Sequence, residues 1–303
     1  MIDVSPKFNT LRYARAEGLL HGAPAVLQRV VDGSVPKGDV RQVARAAAIA
    51  AAKRCSDWIV FCHPIPLDWI EVDVVVADNC LRVTAEVKSV WKTGVEMEAM
   101  TAVAAALLNA YDMLKPLDDQ LVVGEMKVVK KRGGKSDFID MPPEPVRTAV
   151  LVISDSTYAG RREDRSGKEI QEFLQNQPVA ISVTEVLPDD RDRIAVRLAE
   201  LADREGQQLI FTCGGTGLGP KDVTVEATGQ VVDREVPGIA EAMRSHGRTR
   251  TPYAMLSRAV AGMRGQCLIV NLPGSANGAR ESLEALFPGL LHIFPMLGGS
   301  GHD

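Results

Sequence analysis

Leu81-Arg-Val-Thr-Ala-Glu-Val-Lys88 alternates strictly: Leu81, Val83, Ala85 and Val87 fall on one side, Arg82, Thr84, Glu86 and Lys88 on the other. A period of two puts every apolar side chain on one face, which marks a half-buried strand. Residues 70–76 repeat the pattern, with Val72 and Val74 set among Glu71 and Asp73. Asp78-Asn79 between the two runs supplies residues that tolerate a left-handed backbone, as a hairpin requires. Half-buried strands joined in this way form an antiparallel sheet with one face on a core. Helices flank it. Asp39 is placed to cap a helix running to about residue 57, whose apolar face is Val40, Val43, Ala44 and Ala47. A second helix covers about residues 95–114, with Met97, Met100, Ala104, Leu107 and Tyr111 on one face, and a strand follows at 121–129. This first part is α+β, of the ferredoxin-like kind.

Asp140-Met-Pro-Pro-Glu-Pro145 interrupts the pattern. Its prolines exclude helix and favour an extended spacer. Beyond it, strands at 149–154, 179–187, 208–212 and 267–272 alternate with helices at 165–176, 190–204 and 278–287. Alternation of this kind predicts a mostly parallel sheet between helical layers, a three-layer α/β domain. Ligands of such sheets bind at the carboxyl ends of the strands. The expected organisation is a domain over 1–139, a linker at 140–145 and a second domain over 146–303.

The 303 residues are ample for two cores, and the 46% hydrophobic content is that of a globular protein. Residues 1–142 hold 18 basic and 18 acidic side chains; the remainder hold 17 and 21, which accounts for the net charge of −4. Neither balance fits a nucleic-acid partner. Ten of the twelve lysines precede residue 143, leaving Lys168 and Lys221 beyond it. Five cysteines without a Cys-x-x-Cys pair predict reduced thiols and a cytoplasmic protein. The opening Met1-Ile-Asp-Val-Ser-Pro-Lys7 lacks signal-peptide form, and no apolar run reaches membrane-spanning length.

Lys92-Thr-Gly-Val-Glu-Met-Glu98 and Tyr111-Asp-Met-Leu-Lys115 bracket a helix that is bare of charge between them. Charge confined to both ends points to chemistry there, although Glu96 and Glu98 also suit a helix N-terminus and Lys115 a C-terminus. His63, after a short apolar run, is more often a packed or capping residue than a ligand contact. Gly133-Gly-Lys-Ser136 lacks the first glycine of a P-loop and no helix is expected after it, so that reading fails. In the second part, Cys213-Gly-Gly-Thr-Gly-Leu-Gly-Pro-Lys-Asp222 follows a strand, where backbone amides can cradle an anion or simply make a tight turn. Asp155, Asp189 and Asp222 follow strands or precede helices, where carboxylates suit a magnesium site; for Asp189 or Asp190, and for Asp222 taken singly, a helix cap fits equally well.

Asp3-Val-Ser5, Lys37-Gly-Asp-Val40, Ala51-Ala-Lys-Arg54, Cys62-His-Pro64, the 92–98 string, Tyr111-Asp-Met113 with Lys115, and Gly133-Gly-Lys-Ser136 stand in order along residues 1–138. In this they resemble the cyclic pyranopterin monophosphate synthases of molybdenum-cofactor biosynthesis, the MoaC type. The resemblance implies conversion of a 3′,8-cyclised dihydro-GTP into cyclic pyranopterin monophosphate with loss of pyrophosphate. It implies Asp112 and Lys115 as the central acid/base pair, and Lys37, also assigned to catalysis, with His63, Lys135 and Arg12 as the groups holding triphosphate and purine. Glu96, Met97 and Glu98 would contact the base. Leu114 stands where that family often has Cys.

Residues 146–300 resemble the molybdopterin adenylyltransferases, the MoaB/MogA type. The matching strings are Ile153-Ser-Asp155, Leu187-Pro-Asp189, Gly214-Gly-Thr-Gly217 with Asp222 and Glu226-Ala227, Leu256-Ser-Arg258, and Leu272-Pro-Gly-Ser275. The resemblance implies transfer of AMP from ATP, as co-substrate, to a pterin phosphate. It implies Asp189 and Asp222 as catalytic carboxylates and Mg²⁺ ligands, and Gly214, Gly215, Thr216, Gly217, Gly274 and Ser275 as ligand-binding positions. Val225 and Cys213 replace a frequent Pro and Thr. Some members of that fold only bind pterin or assist assembly, so a non-catalytic module is the alternative for this half. A nucleotide-binding regulator is the alternative for the whole chain.

Glu98 and Asp112 lie fourteen residues apart on one predicted helix, roughly 21 Å at 1.5 Å per residue. They cannot both touch one small substrate, so a homo-oligomer with a site shared between chains is expected.

Overall fold

A computed structural model describes residues 1–139 and 141–298. Two compact units, Met1–Asp137 and Phe138–Asp303, make up the chain. Of the 140–145 spacer, Asp140 lies outside the described residues, as do 299–303 of the second half.

Unit 1 runs β1 (Thr10–His21), α1 (Pro24–Val31), α2 (Val40–Ala52), α3 (Cys55–Trp58), β2 (Trp69–Ala77), β3 (Cys80–Trp91), α4 (Glu96–Leu114) and β4 (Val122–Arg132). The sheet order is β2-β3-β1-β4, antiparallel throughout. Val83, Ala85 and Val87 are fully buried, and Asp78 and Asn79 adopt φ of 52° and 59° at the hairpin, as the alternation and the turn residues predict.

The inward face of the central strand β1 is made of small residues: Ala14, Ala16 and Gly18, followed by Leu20. A Cβ on Gly18 would stand 2.8 Å from Leu107 Cδ1 and from Val103 Cγ1, so the missing side chain lets α4 settle onto the strand. Ala99, Ala102 and Ala106 of α4 belong to the same core as Ala44, Ala48 and Ala52 of α2. Small residues on both helices permit this close packing. Asp39 caps α2, its Oδ1 accepting from Arg41 N (2.9 Å) and Gln42 N (3.1 Å). That helix ends at Ala52, short of the expected residue 57, because Arg54 leaves helical dihedrals and α3 begins a new turn at Cys55. No break interrupts α4.

Unit 2 runs β5 (Val146–Ile153), α5 (Asp155–Tyr158), α6 (Ser166–Leu174), β6 (Val179–Leu187), α7 (Arg191–Asp203), β7 (Leu209–Cys213), α8 (Thr224–Val231), β8 (Arg234–Glu235), α9 (Pro237–Arg248), β9 (Ala261–Arg264), β10 (Cys267–Leu272), α10 (Ala276–Leu286) and α11 (Ile293–Leu297). The sheet order is β6-β5-β7-β10-β9-β8. The first four strands are mutually parallel, β9 runs antiparallel to β10 and β8 antiparallel to β9, so the sheet is mixed with β9 as its one reversed strand. β7 and β10 are buried along their whole length because separate cores cover the two faces. Asn271 lies in β10 with no exposure; its Nδ2 donates to Thr212 Oγ1 (2.8 Å) and Thr228 Oγ1 (2.9 Å), which offsets its burial. The carboxyl ends of β5, β6, β7 and β10 lead directly into Asp155, Asp189, the glycine loop and Pro273-Gly-Ser275.

Candidate active sites

At the C-terminal end of α4, Lys37 Nζ meets Asp112 Oδ2 at 2.8 Å and the Asp112 carbonyl at 2.7 Å. Lys115 Nζ meets the other carboxylate oxygen, Oδ1, at 2.7 Å. Gly38, at φ 103°, sits in the turn that presents Lys37. The two lysines hold the Asp112 carboxyl down to about 2, Lys115 contributing most, and Asp112 in turn raises Lys115. All three side chains are solvent-accessible. The cluster is two ammonium groups around one carboxylate, open to an anionic substrate.

A cavity of about 490 Å³ lies at the other end of α4, lined by His63, Glu96, Met97 and Glu98 together with Cys62 and Lys7. Gly94 makes room for the Glu96 carboxylate: a Cβ there would stand 1.9 Å from Glu96 Oε2. Lys131 Nζ approaches Glu96 at 3.6 Å. Glu98 is only 3% exposed, and burial pushes its carboxyl up. A residue that merely complemented the helix dipole would sit in solvent, so Glu98 is an unusual first-turn residue.

Arg12 is buried and donates through Nε to the Trp91 carbonyl and through Nη2 to the Lys92 carbonyl, each at 3.1 Å. It therefore shapes the turn that delivers Glu96 and Glu98. Gly133, at φ 89°, packs so tightly that a Cβ would stand 1.9 Å from the Leu11 carbonyl oxygen. A single 3-10 turn, Lys135–Phe138, follows it, where no helix is expected from the sequence; the side chain of Lys135 lies outside the described structure.

Within one chain, then, Lys37, Asp112 and Lys115 come together, and so do His63, Glu96, Met97 and Glu98. The continuous α4 keeps the two groups apart by roughly 21 Å between Glu98 and Asp112.

In unit 2 the glycine loop is fixed by close backbone approach. Gly214 has φ 108° and a Cβ there would stand 2.4 Å from the Ile153 carbonyl oxygen; Gly215 has φ 66° and would strike Thr224 Oγ1 at 2.1 Å. Gly274 faces Gly214, with 3.2 Å between its would-be Cβ and the Gly214 Cα. Ser275 caps α10 by accepting from Gly278 N at 3.2 Å. The Cys213 thiol donates to the Pro273 carbonyl at 3.1 Å and is pushed up to about 12 by burial, so it ties β7 to this turn and is not a nucleophile. Thr216, Gly217 and Ser275 border an apolar chamber of about 350 Å³, together with Met243, Tyr253 and Pro273.

The acidic residues separate by role. Asp190 caps α7 by accepting from Arg193 N at 3.0 Å. Asp189 and Asp155 bond reciprocally: Asp155 N donates to Asp189 Oδ2 at 2.9 Å, and Asp189 N to Asp155 Oδ1 at 3.0 Å. Asp222 does not cap α8; its Oδ2 accepts from Gly219 N at 2.7 Å. Asp189 and Asp222 thus each spend Oδ2 on a backbone amide and keep a hard oxygen for a ligand. That donor chemistry fits Mg²⁺. Among the described residues no three acidic, His or Cys side chains gather into a metal site, so phosphate oxygens and water would have to complete the shell.

Two basic residues gain roles that their sequence strings do not reveal. Arg258 donates through Nε to the Gly217 carbonyl (2.7 Å) and through Nη2 to the Asp222 carbonyl (2.8 Å), and pairs through Nη1 with Glu226. Its own amide reaches the Thr216 carbonyl at 3.0 Å. Lys221 Nζ reaches Asp155 Oδ2 at 2.5 Å. The Leu256-Ser-Arg258 string and the scarcity of lysine after residue 143 are the signals in the sequence.

An antiparallel α+β unit is thus followed by a mixed-sheet α/β unit whose parallel strand ends carry carboxylates and glycine turns. Residues 1–134 match the MoaC family, and residues 149–292 match the "Probable molybdopterin binding domain" family. A molybdenum cofactor biosynthesis bifunctional protein of Chlorobaculum tepidum is 39% identical over 302 residues, covering 100% of this chain and 96% of its own. A cyclic pyranopterin monophosphate synthase of Roseiflexus sp. is 47% identical over 143 residues, covering 46% of this chain and 90% of its own. The molybdopterin biosynthesis enzyme MoaB of Thermus thermophilus, known from a crystal structure, is 49% identical, covering 51% of this chain and 97% of its own, with a TM-score of 0.49. The chain belongs to the family of bifunctional molybdenum cofactor biosynthesis proteins.

Proposed function

We propose that unit 1 is a cyclic pyranopterin monophosphate synthase and that unit 2 is a molybdopterin adenylyltransferase. The observation that carries the first reading is the Lys37–Asp112–Lys115 cluster. Remaking a cyclised dihydro-GTP requires proton transfers while the purine ring opens. It also requires cations where the α–β phosphate bond breaks and pyrophosphate departs. Asp112 keeps Lys115 protonated as an acid, and Lys37 meets the phosphates. Arg12 fixes the turn bearing Glu96, Met97 and Glu98, which face the base with His63. Because α4 separates these groups, the working site draws one group from each of two chains in a homo-oligomer. The βαββαβ order of the larger elements with strand order β2-β3-β1-β4 supports a ferredoxin-like fold for this unit.

For unit 2, the convergence of four parallel strand ends on Asp189, Asp222 and the two glycine turns supports nucleotide and pterin phosphate binding. A pterin phosphate oxygen attacks the α-phosphorus of ATP, the bond to the β-phosphate breaks, and pyrophosphate leaves. Gly215, Thr216 and Gly217 hold phosphate oxygens through the backbone; Gly214, whose amide donates to the Leu272 carbonyl at 3.2 Å, anchors the loop, and Gly274 and Ser275 close the other wall. Mg²⁺, when bound by Asp189 and Asp222, supplies charge neutralisation. Five free cysteines support a reducing cytoplasm, and no helix among the described residues is long and apolar enough to cross a membrane.

Lys115→Ala tests both halves at once. Pyranopterin formation falls by roughly 10²–10⁴-fold, the range of a lost general acid, while AMP transfer persists. Parallel loss of both activities in a folded variant contradicts two independent sites. Absence of AMP transfer by the wild-type chain would leave unit 2 as a pterin-binding module.

A further inference from the structure

The proposed nucleotide site of unit 2 holds Asp155, Asp189 and Asp222, and beside any Mg²⁺ on the last two a protein cation would offset the rest of a triphosphate's charge. Arg258 is not available: its guanidinium is committed to the Gly217 and Asp222 carbonyls and to Glu226. Lys168, the other lysine of this half, sits on Glu163 at 2.5 Å. Both lysines are exposed and rest on one carboxylate, but Lys221 stands on the glycine loop next to Asp222, and its partner is Asp155 at the carboxyl end of β5. Asp155 is in turn locked to Asp189 by the two backbone bonds, so the ammonium rests beside one proposed catalytic carboxylate and precedes the other in sequence.

We propose that Lys221 is a polyphosphate-binding residue of unit 2, stored on Asp155 and passed to the β- and γ-phosphates of the nucleotide. The inference rests on the adenylyl-transfer reading of this unit. The exchange is one anionic oxygen for another. No proton moves: a lysine ammonium is charged at neutral pH whether it rests on a carboxylate or on a phosphate. As the α–β bond breaks, the electron pair goes to the departing pyrophosphate, and Lys221 stands where that charge collects. Asp155 is by this account a storage partner, since both of its oxygens already serve protein groups.

The test compares wild type, Lys221→Ala and Lys221→Arg as full chains. The KM for ATP should rise about 10- to 100-fold in Lys221→Ala, the loss expected of one charge-assisted bond, with the KM for the pterin substrate unchanged. Lys221→Arg should recover most of the loss. Calorimetry with inorganic tripolyphosphate and Mg²⁺, in a Lys37→Ala background that weakens the cation cluster of unit 1, should show the same weakening. A wild-type chain that transfers AMP beside a Lys221→Ala variant with unaltered KM for ATP overturns the proposal and spares the reading of unit 2. A chain that transfers no AMP but loses tripolyphosphate affinity on Lys221→Ala overturns that reading and supports the Lys221 site. Equal tripolyphosphate affinity in both chains, or none in wild type, overturns the Lys221 site.

Discussion

Lys115 Nζ stands 2.7 Å from Asp112 Oδ1, one turn apart at the end of α4, and each group holds the other in its charged form. Asp112 raises the Lys115 pKa, so the ammonium persists to higher pH and the acid is lost only as pH rises through that raised value. Asp112→Asn removes the largest cause. The alkaline limb of the pH profile for pyranopterin formation should therefore move to lower pH. A limb that stays in place would show that Lys115 is not the titrating acid. On the acid side, Asp112 contributes stability above its ordinary 3.8 that is lost as pH falls to about 2; its exposure keeps this contribution small.

Asp222→Asn should lower AMP transfer by roughly 10–100-fold and raise the magnesium concentration needed for half-maximal rate. The substitution keeps an oxygen for the Gly219 amide, so the loop is retained while the charge is removed. A magnesium titration of the variant that overlays the wild-type curve would leave Asp222 as a loop-bracing residue only.

Gly18→Ala should destabilise unit 1 by about 1–3 kcal/mol, since the added methyl meets Leu107 and Val103 at 2.8 Å inside a packed core. Denaturant unfolding of unit 1, followed by its own tryptophans, measures this. Gly124→Ala is the control: a Cβ there meets nothing within 4 Å. Equal stability of the two variants would contradict the close seating of α4 on β1.

Much of this architecture is legible in the sequence where the signal is local. The alternation at 81–88 fixes β3, Asp39 caps α2, and the bare stretch of α4 forms without a break. Residues 10–21 carry no comparable strand signal. Their inward positions before Leu20 are Arg12, Ala14, Ala16 and Gly18, too small or too polar to mark a buried face, although the strand lies inside the sheet. β8 and β9 are two and four residues long, below the length at which a period shows. The same limit applies to the sites. Lys37, Asp112 and Lys115 stand in recognisable strings. Arg258 acts on carbonyls 36 and 41 residues away, and carbonyls have no sequence signature. Lys221 finds Asp155 across 66 residues only because two parallel strands end side by side.

In the function proposed for unit 1, the two ends of α4 serve different composite sites, each completed by a second chain. Glu98→Ala and Asp112→Ala each damage one end and should be inactive in pyranopterin formation when alone. The decisive measurement mixes the two purified variants under conditions of verified subunit exchange and follows pyranopterin synthesis. The account predicts recovered activity, because a mixed pair assembles one intact site from two damaged chains. Continued inactivity after demonstrated exchange would place Glu98 and Asp112 outside any shared site and contradict the account.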